Sequence, residues 1–89
     1  MQLHILVRGQ VQGVGFREYA RRSAERFEIR GYTMNLANRD VEIVAEGAKL
    51  ALDKFIIALE KGPPASRVVC VRIDERDHSG EFTDFQIRY

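Results

Sequence analysis

Leu3-His4-Ile5-Leu6-Val7-Arg8-Gly9-Gln10-Val11-Gln12-Gly13-Val14-Gly15-Phe16-Arg17 changes its hydrophobic period once, and that change decides the fold. Before Gly9 the period is two. Leu3, Ile5 and Val7 share one face, as in a strand packed on one side. After Gly15 the period is helical. Phe16, Tyr19, Ala20, Ser23, Ala24 and Phe27 follow i, i+3, i+4, i+7, i+8 and i+11, which makes one stripe. Arg21, Arg22, Glu25 and Arg26 fall mostly on the opposite, solvated face. The stretch therefore predicts a strand, a loop with three glycines, and a helix.

Working outward, Ile29 to Leu36 predicts a second strand and Val41 to Glu46 a third. In the third, Val41, Ile43 and Ala45 alternate with Glu42, Val44 and Glu46, which predicts one wet face. Ala37-Asn38-Arg39-Asp40 reads as a hairpin turn, with Asn38 able to take a positive φ. Ala48, Leu52, Phe55, Ile56 and Leu59 form a second helical stripe, which Gly62-Pro63-Pro64 stops. Val69, Val71 and Ile73 mark a fourth strand, with Cys70 a small residue between them. Ser79-Gly80 marks a turn, and Phe85 and Ile87 suggest a short last strand. The order β-α-β-β-α-β with a terminal strand predicts an α+β, ferredoxin-like sandwich. Its antiparallel sheet would carry two helices on one face. No repeat or linker divides the chain, so residues 1–89 read as a single domain.

Composition narrows the function. With 30% charged and 45% hydrophobic residues, the 89-residue chain has a globular balance. Its 14 basic and 13 acidic side chains leave a net charge of +1, which excludes a broad basic field but not a local anion site. The faces opposite the core offer His4, Leu6 and Arg8, then Glu42, Val44 and Glu46. Neither set makes a stacking platform, so nucleic acid is not an expected partner. Apolar runs are too short to span a bilayer, and Met1 leads straight into a strand pattern without a signal peptide. A single cysteine, Cys70, excludes an internal disulfide and a multi-thiolate metal site. The expectation is a cytoplasmic protein that does not bind membranes. Val44 and Ile57 are the candidate exposed apolar residues. Two positions do not make an interface, so the expected state is a monomer.

The glycine loop carries the chemistry. A helix starting near Phe16 calls for Ser, Thr, Asp or Asn as its cap, and none lies between Gly9 and Arg17. The first-turn N–H groups therefore need another acceptor. Glycines let the backbone turn its amides toward a ligand, and amides at a helix N-terminus attract anions, phosphate above all. Arg17 in the first turn opposes the helix dipole at a cost of about 0.3–1 kcal/mol. An anion bound between amides and guanidinium reverses that sign. A charge pair at about 4 Å is worth on the order of 4 kcal/mol at an effective dielectric near 20. Arginine also presents a planar fork to two phosphate oxygens. The stretch fits neither G-x-G-x-x-G nor G-x-x-x-x-G-K-[ST].

No covalent nucleophile lies in the loop. His4 is eight residues before Gln12, about 26 Å along an extended strand, and His78 reads as an exposed loop residue. Recognisable metal-ligand spacing is absent. Asn35 can donate and accept at once, and so can orient a water beside a phosphate that an aspartate would repel. Anion donors without an acid or base suit an already activated substrate such as an acyl phosphate, whose leaving group is a carboxylate. Positioning and charge stabilisation could then suffice.

Val7 to Arg17 resembles the acylphosphatase signature V-x-G-x-V-Q-G-V-x-F-R. Gly31-Tyr32-Thr33-Met34-Asn35 resembles the family's second motif, G-W/Y-V-x-N, and Val41 to Gly47 and Gly62-Pro63-Pro64 are similar to further family segments. The resemblance spans essentially the whole chain. It implies hydrolysis of the carboxyl–phosphate anhydride to a carboxylate and inorganic phosphate, the latter both product and inhibitor. It implies that Arg17 binds the phosphoryl group together with the amides of Gln12, Gly13, Val14, Gly15, Phe16 and Arg17, and that Asn35 holds the attacking water. It implies no metal, no cofactor and no covalent phospho-enzyme. The chain departs from the pattern at Thr33, where many relatives carry Val. It departs again at Asn38-Arg39, where many carry Asp-Gly, and Arg39 bears a positive φ less easily than Gly. The competing function is a non-catalytic module that binds a phosphorylated metabolite.

Overall fold

The two hydrophobic periods become two layers. A computed structural model describes residues 1–89. Its elements are β1 (Gln2–Gln10), α1 (Phe16–Arg26), β2 (Arg30–Asn35), β3 (Val41–Glu46), α2 (Lys49–Lys61), β4 (Arg67–Arg76) and β5 (Phe85–Arg88). Leu3, Ile5 and Val7 of β1 and Val41, Ile43 and Ala45 of β3 join Phe16, Ala20 and Ala24 of α1 and Leu52, Phe55 and Leu59 of α2 in one core. Burial of each large member contributes about 1.5–3 kcal/mol. Tyr19, at the edge of its stripe, donates its hydroxyl to the Ala58 carbonyl at 2.7 Å and ties the helices together. Ala48 is not part of the second stripe. It is the exposed N-cap of α2.

Helix α1 ends in a Schellman arrangement, with Glu28 N–H on the Glu25 carbonyl and Ile29 N–H on the Ala24 carbonyl. Glu28 occupies the left-handed position at φ 57°, a conformation that costs a non-glycine residue about 1–2 kcal/mol. Burial of Ile29 against the helix end offsets this.

The sheet order is β4-β1-β3-β2-β5. The first four strands pair antiparallel, as expected, but the short last strand joins the edge parallel to β2. The sheet is therefore mixed. Because β4 and β5 occupy opposite edges, residues 77–84 must cross one end of the sheet, about 19 Å at four strand spacings.

Glu46, at the end of the central strand β3, catches this crossing. Its carboxylate accepts from Ser79 N–H at 2.7 Å, Ser79 Oγ at 2.8 Å, Gly80 N–H at 3.2 Å and Gln2 Nε2 at 2.7 Å. Glu46 was expected on a wet face and is buried instead, because the crossing segment covers it. Val44 is likewise buried, set in register between His4 and Tyr32, with Phe82 of the crossing packed on the Tyr32 ring. Ile57 is exposed, as expected.

Burial alone would raise the Glu46 pKa. The Ser79, Gln2 and His78 interactions outweigh it and bring it to about 2, against 4.5 when free. A depressed folded pKa contributes stability that is complete above the unfolded value and is lost as pH falls through the folded one. Urea midpoints of the parent should therefore fall between about pH 4.5 and pH 2. The Glu46 share of that loss is on the order of 3 kcal/mol. Glu46→Gln should be less stable near neutrality and flatter over that window. Parallel pH profiles for parent and variant would show that the carboxylate does not clasp the crossing.

Strand β4 departs from its sequence pattern. The register moves from Arg8–Cys70 to Gly9–Val68, so Val69 is the extra residue of a bulge. Parity switches there. Val68 and Val71 pack on the core while Val69, expected to face inward, is exposed. Cys70 is exposed on this edge strand.

Candidate active site

Loop residues 11–15 leave β1 and turn into α1, anchored by buried Val11. Gly13 at φ 74° and Gly15 at φ 76° are both left-handed. A Cβ on either would meet nothing within 4 Å, so the backbone conformation, not crowding, requires glycine. Gly15 is the N-cap of α1 and supplies no side-chain bond. The first α1 amide to find a partner is Tyr19 N–H, on the Gly15 carbonyl at 3.0 Å. From Gln12 to Glu18, no main-chain N–H has an acceptor within the protein. The uncapped helix start foreseen from the sequence is present in full, and its partial positive charge is open to an anion.

Arg17 lines the same cleft as Gly13, Gly15 and Phe16 and has no carboxylate partner. One Nη donates to the Arg88 carbonyl at 3.2 Å, and the guanidinium lies 4.6 Å from the Tyr89 ring centroid. Glu18 is the carboxylate nearest in sequence. It is held on the helix by Arg21 and Arg22. The Arg21 guanidinium, against some cost of burial and with help from Arg22, keeps its pKa below the usual range. Glu18 therefore stays ionised and paired.

Asn35 ends β2 beside the same cleft, a space of about 210 Å³ that Gly13, Gly15, Phe16, Arg17, Ile87 and Tyr89 also line. Its Oδ1 is buried and has no hydrogen-bond partner in the protein.

Gln12 and Val14 line a separate groove with Gly9, Gln10 and Arg39. Gln12 Nε2 donates to the carbonyls of Leu36 at 2.9 Å and Asp40 at 3.0 Å, which staples the loop to the β2–β3 hairpin. That hairpin bears on Asn35. Asn38 was expected to take the positive φ, but Arg39 does, at 77°. Asn38 instead accepts from Asp40 N–H and donates to the Asp40 carboxylate, and so shapes the turn with its side chain. Asp40 is buried and also pairs with Arg8. These bonds hold the turn although glycine is absent from it.

Ile87, Tyr89 and the Arg88 carbonyl were not foreseen as site groups. The only signal was the short apolar alternation Phe85, Ile87, which said strand and not location. A larger cleft of about 610 Å³ lies at the other end of α1, between Ile29, His78 and Phe82. There the helix presents carbonyls, and its negative end disfavours an anion.

The acylphosphatase family model matches residues 3–87. The acylphosphatase of Thermotoga maritima is 45% identical over 87 residues, which cover 98% of this chain and 96% of that protein. The crystal structure of acylphosphatase from Bacillus subtilis superimposes with a TM-score of 0.96 at 36% identity, covering 99% and 98% of the two chains. The fold also matches part of a much longer protein. Full-length HypF in the phosphate- and nucleotide-bound form aligns with a TM-score of 0.90 at 28% identity, over 99% of this chain and 12% of that one. With its glycine loop, open helix start and whole-length similarity together, the chain belongs to the acylphosphatase family of hydrolases.

Proposed function

We propose that this chain hydrolyses acyl phosphates. Residues 1–89 would act as one domain, with the amides of residues 12–17 and the Arg17 guanidinium holding the phosphoryl group. The observation that carries this reading is an arginine without a carboxylate partner in one cleft with a helix start whose N–H groups have no acceptor. Asn35 holds a water on the phosphorus at the amide edge facing the cleft. Water oxygen bonds to phosphorus, the bond from phosphorus to the carboxyl oxygen breaks, and the carboxylate leaves with its electron pair. The water proton passes to a phosphoryl oxygen. This route needs no side-chain base, in keeping with a cleft whose one acidic side chain, Glu18, is already paired. Charge on the equatorial oxygens is met by donors already in place, so little reorganisation is needed in the transition state. Inorganic phosphate, sharing those donors, is both product and competitive inhibitor.

The test is steady-state hydrolysis of benzoyl phosphate with excess chelator present, following benzoate and inorganic phosphate together. Equal release of both, inhibited by added phosphate, is the expected result. Tight phosphate binding without turnover would instead make the chain a binding module for a phosphorylated metabolite.

A further inference from the structure

Thr33 Oγ1 and Asn35 Oδ1 are both buried, and neither has a hydrogen-bond partner in the protein. They lie two residues apart on β2, so both side chains leave the same face of the strand. Thr33 sits between Ile43 and Ile87 in the sheet register and is completely buried. A hydroxyl without a partner in such a place is costly, and valine, with the same shape, would remove the cost. Asn35 opens on the cleft, whereas Thr33 lies one pleat deeper. Strand rise puts the two Cβ atoms roughly 6.5–7 Å apart. One water making two bonds of about 2.8 Å spans up to about 5.6 Å between oxygens, a reach the longer asparagine side chain brings within range.

We infer that Thr33 Oγ1 and Asn35 Oδ1 share one buried water, and that Thr33 is thereby a positioning residue for the Asn35 amide. The hydroxyl donates to the water, and the water donates to Oδ1. The oxygen end of the amide is held inward, and Nδ2 is presented to the water that attacks phosphorus. Without the buried water the two ends of the amide compete for the cleft. This inference rests on the role given to Asn35 above.

Thr33→Val separates position from stability. Its urea midpoint should stay close to that of the parent, because valine fills the same space and only one water-mediated bond of modest net worth is lost. Its kcat on benzoyl phosphate should fall about 10-fold, with KM and phosphate inhibition unchanged. Thr33→Ser, which keeps the hydroxyl, should recover kcat to within about threefold. An unchanged kcat in Thr33→Val, or equal losses in the Val and Ser variants, overturns the inference. A crystal structure of the parent at atomic resolution should show an ordered water between the two oxygens. Its absence overturns the inference whatever the activity. If Asn35→Ala retains the parent's kcat, the reading of the site falls and the positioning role of Thr33 falls with it. If Asn35→Ala loses turnover and Thr33→Val does not, only the role of Thr33 falls.

Discussion

Arg17→Gln lowers kcat/KM for benzoyl phosphate by about 10³-fold, the expected consequence of removing a charge pair worth on the order of 4 kcal/mol at contact distance. On the proposed reading the loss falls on both binding and turnover, because the guanidinium would meet the phosphoryl oxygens in the ground state and more strongly as charge builds on them. Inhibition by inorganic phosphate weakens in parallel. Arg17→Lys recovers only part of the loss and stays about 10²-fold below the parent, since a point charge replaces a two-pronged donor. Folding is not at stake. Arg17 makes one hydrogen bond, to the Arg88 carbonyl, and a contact with the Tyr89 ring, and no salt bridge. Relieving a cation at a helix start is neutral to slightly stabilising. Steady-state kinetics with urea melts on the same samples check this. A lysine variant as active as the parent would mean that the fork is not used.

Asn35→Ala separates turnover from binding. Its kcat is expected to fall about 10²-fold, the scale for losing one positioned group beside the reacting atom, while KM and phosphate inhibition stay within about twofold. The split follows from geometry. On the proposed reading the phosphate donors are the loop amides and Arg17, whereas Asn35 lines the cleft from the end of β2. The Asn35 Oδ1 makes no hydrogen bond within the protein, so the variant should melt close to the parent. A fall in phosphate affinity equal to the fall in kcat would show that Asn35 binds the anion and does not place the water.

Much of this site was legible along the chain because it is local. The glycines, the missing cap and Arg17 lie within nine residues, and a left-handed loop feeding a helix needs only near-neighbour geometry. Asn35 was legible through its place at a strand end before a turn. The turn itself was legible only in part. The side chain of Asn38 and the φ of Arg39 exchange the roles that composition suggests, and buried Asp40 with Arg8 decides which residue bends.

By itself the sequence determined the element order, the core faces of β1, β3 and α1 and the glycine loop, since each rests on periodicity or on the backbone freedom of glycine within a few residues. Only the tertiary structure decided that the last strand crosses to the far edge and lies parallel to β2. That crossing brings Ile87, Tyr89 and the Arg88 carbonyl to Arg17, buries Glu46 and Val44 on a face expected to be wet, and sets Ile87 beside Thr33. Strand pairing of this kind joins residues far apart in the chain. Its choice depends on which edge still has unpaired backbone groups once the other strands are placed, and no local pattern encodes that.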